Sequence, residues 1–89
     1  MITAAQIRAA RGLLGLSQIG LSDLAAVSAA TVKRQETSPE TRGSAASLLK
    51  IERALEQAGV EFIPADEAKG PGVRLKRGDK GKSFRRPRR

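Results

Sequence analysis

Two serines, Ser17 and Ser28, each begin a short apolar segment, and this close repeat restricts the fold more than any other feature of the chain. Serine is a preferred helix N-cap because its hydroxyl accepts a hydrogen bond from a free N–H of the first turn. Only Ala26 and Val27 lie between the first segment and the second cap. We therefore predict two short helices joined by a tight turn, the second ending near Glu36. The residues expected to hold this pair against the rest of the protein are Leu16, Leu21, Leu24, Val27 and Val32.

Two further helices flank this pair. Thr3 can cap a first helix, TAAQIRAARGLL, in which apolar residues recur at helical spacing. The segment TSPETRG contains proline and glycine and is expected to be a loop. A longer helix, SAASLLKIERALEQA, follows and should stop at Gly59. The apolar residues expected to face the core are Ile7, Ala10 and Leu14 in the first helix and Leu48, Ile51, Leu55 and Ala58 in the last.

After Gly59 the apolar period changes from that of a helix to that of a strand. VEFI alternates with Val60 and Phe62 on one face, and GVRLK alternates around Val73 and Leu75. The segment between them, PADEAKGPG, is rich in turn residues, so an antiparallel hairpin is predicted. Because an isolated hairpin is only marginally stable in water, it should pack on the helices or pair with another chain.

Charge divides the chain into a nearly neutral body and a cationic tail. Residues 1–68 carry seven basic and eight acidic side chains, whereas residues 69–89 carry ten basic side chains and one acidic one. The tail lacks the apolar residues needed to fold and is expected to be disordered. Its possible roles are a nucleic-acid arm, a solubility feature or a contact for an acidic protein. The charged tail residues are Lys76, Arg77, Lys80, Lys82, Arg85, Arg86, Arg88 and Arg89, together with Asp79.

The predicted fold class is mainly α: a four-helix domain with a helix-turn-helix over residues 1–59, then a short β-hairpin over 60–75 and the basic tail over 76–89. The hairpin is a possible dimer contact. A plain helical bundle with a short turn is the alternative that spacing alone leaves open.

Residue types exclude most catalytic and metal chemistry. The chain has no cysteine and no histidine, so neither a thiolate zinc site nor a His-based nucleophilic arrangement can form. No signal peptide or apolar span for a membrane is recognisable. We therefore expect a cytoplasmic protein that is not an enzyme and has no cofactor, metal or membrane partner.

The run L-S-Q-x-x-L-x-x-L-A-x-V-S-x-x-T-V-x-R-x-E resembles the xenobiotic-response-element (XRE) type of bacterial helix-turn-helix regulators, which includes phage repressors and Cro. The resemblance covers about residues 3–75 and excludes the tail. It implies a DNA-binding transcriptional regulator that is nucleoid-associated and active as a homodimer on a palindromic operator. It also implies a structural ion pair between Arg11 and Glu36. Ala26 departs from the family, which commonly has glycine at this turn.

Carried over residue by residue, the resemblance assigns two sets of contacts to double-stranded DNA. Base readout in the major groove is assigned to Ala29, Ala30, Lys33 and Arg34. Contacts to the DNA backbone are assigned to Ser17, Gln18, Ser28, Thr31 and Arg42.

The composition of the helix that would read the bases, from Ser28 to about Glu36, leaves a rival function open. Arg34 is the strongest candidate for guanine, whereas Ala29 and Ala30 offer only methyl groups, which can touch a thymine methyl or permit close approach. The rival is a protein-interaction module, such as an antitoxin or an adaptor that bridges RNA polymerase or another regulator and reads DNA weakly.

Overall fold

The computed structural model describes residues 2–37 and 45–76. Within these ranges the chain is mainly helical, with four helices followed by a two-stranded antiparallel hairpin, which confirms the predicted fold class. No helix in these ranges is long and apolar enough to cross a membrane. The elements in chain order are α1 (Ala4–Leu14), α2 (Gln18–Ala25), α3 (Ala29–Thr37), α4 (Ala45–Gln57), β1 (Val60–Ile63) and β2 (Gly72–Leu75).

The helix starts are where the capping residues predict them. The Thr3 hydroxyl accepts a hydrogen bond from the Gln6 N–H, and the Gln6 side chain accepts one from the Thr3 N–H, which completes a capping box. The Ser17 hydroxyl accepts from the Gly20 N–H at 2.9 Å. The Ser28 hydroxyl accepts from the Thr31 N–H at 3.0 Å. These bonds satisfy free donors in each first turn and fix where α1, α2 and α3 begin.

The turn between α2 and α3 is left-handed at Ala26, with φ 61° and ψ 43°. The Ala26 N–H donates back into the last turn of α2, and the Val27 N–H donates to the Ser22 carbonyl. A left-handed residue lets the chain reverse within two residues, but a Cβ in this conformation costs about 1–2 kcal/mol. The tight turn is therefore formed at an energetic cost that glycine would avoid.

The core is an apolar cluster between the helices and the first strand. Ile7, Leu21, Val32, Ile51 and Leu55 are completely buried, and Leu14, Leu16, Val27 and Leu48 pack against them. The predicted core positions are thus confirmed, with one exception.

Leu24 is the exception, because it is 43% exposed rather than buried. Its neighbour Ala25 is buried instead. Leu21 and Ala25 are four residues apart and define the buried row of α2, so Leu24 lies at the edge of that row. The prediction that Leu24 holds the helix pair against the core is wrong.

The hairpin packs on the helical body, as one of the two predicted arrangements requires. Its register pairs Val60 with Leu75 and Phe62 with Val73. Phe62 and Val73 are half-buried against the core cluster. The Gln6 side chain adds a polar tie, since its Nε2 donates to the Gly72 carbonyl at 2.9 Å and to the Ile63 carbonyl at 3.4 Å. These two carbonyls anchor the turn end of the hairpin to the start of α1.

Several predicted contact residues lie outside the described ranges. The loop residue Arg42 is one, and Lys76 is the last tail residue that the structure describes. The remaining tail residues outside these ranges are Arg77, Lys80, Lys82, Arg85, Arg86, Arg88 and Arg89.

Candidate nucleic-acid interface

The outer face of α3 carries all four residues assigned to base readout. Ala29, Ala30, Lys33 and Arg34 are exposed, whereas Val32, Gln35 and Glu36 are buried on the opposite side. The exposed residues are related by one turn of helix, because Lys33 follows Ala29 by four positions and Arg34 follows Ala30 by four. Thr37 is exposed one turn beyond Lys33 and extends the same face. We call Ala29, Ala30, Lys33 and Arg34 the reading face.

The two cations of the reading face are free to reach outward. Neither Lys33 nor Arg34 forms a side-chain hydrogen bond or an ion pair with any residue that the structure describes. An arginine presents five N–H donors in a planar fork, which matches the two acceptors on the major-groove edge of guanine. The reading face therefore combines two methyl groups with two positive charges that no described residue pairs.

Ser28 and Thr31 are linked to each other at the start of α3. Their hydroxyl oxygens are 2.8 Å apart, so one of the two hydroxyl hydrogens is used within the cap. The Ser28 oxygen also accepts from the Thr31 N–H. Both side chains are consequently held close to the helix start, and they retain one hydroxyl hydrogen between them for an external acceptor.

Glu36 anchors α3 on the side opposite the reading face. Its carboxylate is buried and accepts from Arg11 Nε at 2.7 Å and from Arg11 Nη2 at 3.0 Å. This confirms the expected ion pair. Arg8 donates to the Glu36 backbone carbonyl, and Arg11 Nη1 donates to the Leu16 carbonyl. The two arginines of α1 thus fix the last turn of α3 and the residue that precedes the cap of α2.

The environment of this carboxylate decides its charge. Burial raises the pKa of Glu36, but the hydrogen bonds from Arg11 and Gln18 and the charges of Arg11 and Arg8 outweigh that effect and lower it below the usual value. The hydrogen bond to Glu36 raises the pKa of Arg11. Both groups are therefore charged at neutral pH, and the pair is an ionic clamp between α1 and α3.

Gln18 has a partner that its sequence position does not reveal. Its Nε2 donates to Glu36 Oε1 at 3.0 Å, so α2 joins the same clamp. The residue was assigned a DNA phosphate contact, and the amide has a second hydrogen that this bond does not use. Ser17, also assigned to the DNA backbone, is exposed while its oxygen serves as the α2 cap.

Two neighbouring residues near the start of α2, Ile19 and Gly20, affect this helix in different ways. A Cβ on Gly20 would lie 3.2 Å from the Ser17 hydroxyl and 3.3 Å from a Leu16 methyl, so glycine leaves room for the cap. Ile19 is 65% exposed, the highest value among the large apolar residues that the structure describes. Leu24 is the other large apolar residue of α2 that is exposed.

Sequence reasoning missed Arg8, Gln6 and the Gln18–Glu36 bond. Arg8 and Arg11 are three residues apart on α1 and share a face, which is the signal that could have placed both beside one residue of another helix. In the described ranges, no group of three or more acidic residues is arranged to hold a metal ion.

Comparison with known proteins adds no family assignment. No protein-family model matches the chain, and no curated protein matches it significantly.

Proposed function

We propose that this protein is a sequence-specific DNA-binding transcriptional regulator of the XRE type, which inserts α3 into the major groove. The observation that carries the proposal is the reading face itself, where Lys33 and Arg34 are exposed and unpaired among the described residues while Glu36 is clamped on the buried side. A base-reading helix needs free donors in front and a rigid attachment behind, because a tilt of the helix would misplace every contact.

The dimensions of α3 suit the groove. An α-helix with its side chains is about 10–12 Å across, and the major groove of B-DNA is about 12 Å wide. Ala29 and Ala30 make the leading end of α3 thinner than average, so the helix backbone can approach the base edges closely. In this position Arg34 reaches guanine, and Lys33 lies beside it on the same face.

Contacts to the DNA backbone would set the register of the reading helix. Ser17, Gln18, Ser28 and Thr31 lie at the starts of α2 and α3, where backbone N–H groups and the helix dipole favour phosphate. The basic tail would add affinity that does not depend on sequence, because each phosphate it neutralises releases counterions.

A homodimer on a palindromic operator completes the proposal. A single good bidentate contact discriminates by only about 1–3 kcal/mol, so one copy of the reading face gives little specificity. Two copies related by a twofold axis would place their helices about 34–36 Å apart, one turn of DNA. The hairpin is the proposed contact between copies, since Leu75 is 48% exposed at its end.

The exposed apolar surface of α2 favours a second candidate, a protein-interaction module. Ile19 is 65% exposed and Leu24 is 43% exposed, and neither belongs to the reading face. In this alternative the protein is an antitoxin or an adaptor for RNA polymerase or another regulator, and its DNA contacts are secondary.

A selection experiment separates the two candidates. The full-length protein is incubated with random duplexes, bound DNA is enriched over several rounds, and the sites are compared with a genome-wide occupancy map. The regulator predicts a short palindrome with a guanine in each half-site, present under the occupied regions. Enrichment without any shared sequence, together with occupancy that follows another DNA-binding factor, would favour the interaction module.

A further inference from the structure

The reading face is divided into a cationic half and a methyl half. Arg34 and Lys33 supply charge in the second turn of α3, and Ala29 and Ala30 supply only methyl groups in the first turn. The polar side chains next to the methyl half are partly used within the helix cap, because the Ser28 and Thr31 hydroxyls form a hydrogen bond with each other. The two halves therefore offer different chemistry to adjacent base pairs.

We infer that this face selects a C5-methyl pyrimidine close to a guanine: Arg34 takes the guanine, and Ala29 or Ala30 takes the methyl group. The inference rests on the proposed function and adds the base pattern of the half-site. In the major groove, the C5-methyl is the one apolar group that a base pair exposes, and an alanine methyl can bury against it. No other base edge has a favourable partner in an alanine.

Helix geometry sets the spacing of the two bases. Ala30 and Arg34 are four residues apart, which is a rise of about 6 Å along the helix axis. Stacked bases are about 3.4 Å apart along each strand, so the methyl group lies within about two base pairs of the guanine. A helix inclined to the groove shortens the projection of this rise along the DNA.

Two natural bases carry this methyl group, thymine and 5-methylcytosine. Replacing thymine by deoxyuridine removes only the methyl group and keeps every hydrogen-bonding atom. Replacing a C·G pair by a 5-methylcytosine·G pair adds only the methyl group. The protein's affinities for the thymine duplex and for the 5-methylcytosine duplex are then compared, and the higher affinity identifies the base that this face prefers.

The test uses the full-length protein and the best duplex from selection. Each thymine within two base pairs of the Arg34-dependent guanine is changed singly to deoxyuridine, and affinities are measured by fluorescence anisotropy. We expect about a fourfold loss at one or two positions, since burying one carbon group of this size favours association by about that factor. At the same positions, 5-methylcytosine should bind about fourfold tighter than cytosine.

Variants connect the effect to the reading face. In Ala29→Gly or Ala30→Gly, the ratio of affinities for thymine and deoxyuridine should fall to about one at the facing position. The matched control is Ala5→Gly, which changes an exposed alanine at the second position of α1 and should keep the fourfold ratio. Each ratio is measured within one protein, so a loss of folding stability does not alter it.

Two results would overturn the inference, and they differ in what they say of the proposed function. If the guanine preference depends on Arg34 but every deoxyuridine substitution is neutral, the methyl inference fails and the DNA-binding function stands. If selection yields no preferred sequence, both fail together.

Discussion

Arg11 and Glu36 are 25 residues apart in the chain and form an ion pair with two hydrogen bonds, which joins α1 to the last turn of α3. The Glu36 side chain is 2% exposed and the Arg11 side chain is 23% exposed, so the carboxylate is shielded from water and the guanidinium is partly solvated. The pair therefore fixes α3 through a buried charge, which would keep only the Gln18 hydrogen bond and the nearby Arg8 charge among the described residues if Arg11 were removed.

Glu36→Gln should destabilise the fold by about 3 kcal/mol at pH 7. Breaking a buried ion pair costs about 3–5 kcal/mol, and we expect the lower value because the Arg11 side chain is partly solvated. The pH dependence follows from the lowered pKa of Glu36. In the unfolded chain this carboxyl takes up its proton near pH 4.3, and in the folded protein at lower pH. The ionic stabilisation is complete above pH 4.3 and is lost as pH falls through the folded pKa.

Urea denaturation of the wild type and Glu36→Gln from pH 7 to pH 3 measures this difference. The difference in the free energy of unfolding between the two proteins should be constant above about pH 5 and should shrink below about pH 4.3. Glu56→Gln, a change at an exposed carboxylate of α4, is the control and should have little effect. A gap that widens towards low pH would contradict the assigned charge of Glu36.

Ala26→Gly should stabilise the protein by about 1 kcal/mol. The side-chain clash at φ 61° disappears, and the added entropy of the unfolded chain offsets only part of that gain. Ala9→Gly in the exposed middle of α1 is the matched control and should destabilise by about 1 kcal/mol. Thermal melts of wild type and both variants measure these opposite changes in stability. A loss of stability in Ala26→Gly would show that the turn is not left-handed in solution.

Gln6→Glu should loosen the hairpin and leave the helix pair intact. A glutamate keeps an oxygen for the Thr3 N–H but has no donor for the Ile63 and Gly72 carbonyls. The loss of these bonds should cost about 1–3 kcal/mol, and repulsion between the buried carboxylate and the two carbonyl oxygens adds to this cost.

Amide hydrogen exchange locates the effect of Gln6→Glu. The amides of β1 and β2 should exchange faster, most of all near the Ile63–Gly72 pair that Gln6 contacts, and the amides of α2 and α3 should change less. Gln57→Glu, at an exposed position of α4, is the control. Equal acceleration throughout the protein would mean that Gln6 supports the whole fold rather than the hairpin.

Local features of the fold were predictable from the sequence, and contacts between distant residues were not. Thr3, Ser17 and Ser28 cap their helices because capping depends on residues within one turn. The Gln6 bonds to the hairpin connect residues 57 and 66 positions apart, and no local rule addresses them. Leu24 was misplaced because a short helix with both Leu24 and Ala25 at its apolar edge does not show which residue faces inward.

The candidate site likewise combines features that the sequence predicts with contacts that it does not. The exposure of Lys33 and Arg34 follows from helical periodicity once Val32 and Glu36 are buried. The clamp is different, because Gln18 and Arg8 reach Glu36 only through the packing of three helices. The resemblance to known regulators pointed to the Arg11–Glu36 pair, and the structure adds the other two contacts.

Deleting residues 77–89 should weaken binding to all DNA sequences alike and flatten its salt dependence. The deletion removes seven basic side chains and Asp79, and it keeps the Lys76 N–H that closes the hairpin. Each phosphate contact contributes a slope of about −0.9, and a partial engagement of the tail gives a change of about two to four. Anisotropy titrations at several salt concentrations measure the slope.

The control for this deletion is a full-length protein with glutamine at each basic position of 77–89. If charge is what matters, it should behave like the deletion. An unchanged salt slope in both proteins would rule out a DNA-binding tail and would favour a protein partner for it.

The most direct test of the central claim is a titration of wild type, Arg34→Ala and Arg53→Ala on the selected duplex and on a scrambled one. Arg53 is an exposed arginine of α4 and is the matched control for charge. Arg34→Ala should lose about 1–3 kcal/mol on the selected duplex and little on the scrambled one, whereas Arg53→Ala should preserve the preference. Equal losses for Arg34→Ala on both duplexes, or no loss on either, would contradict the claim that α3 reads DNA sequence.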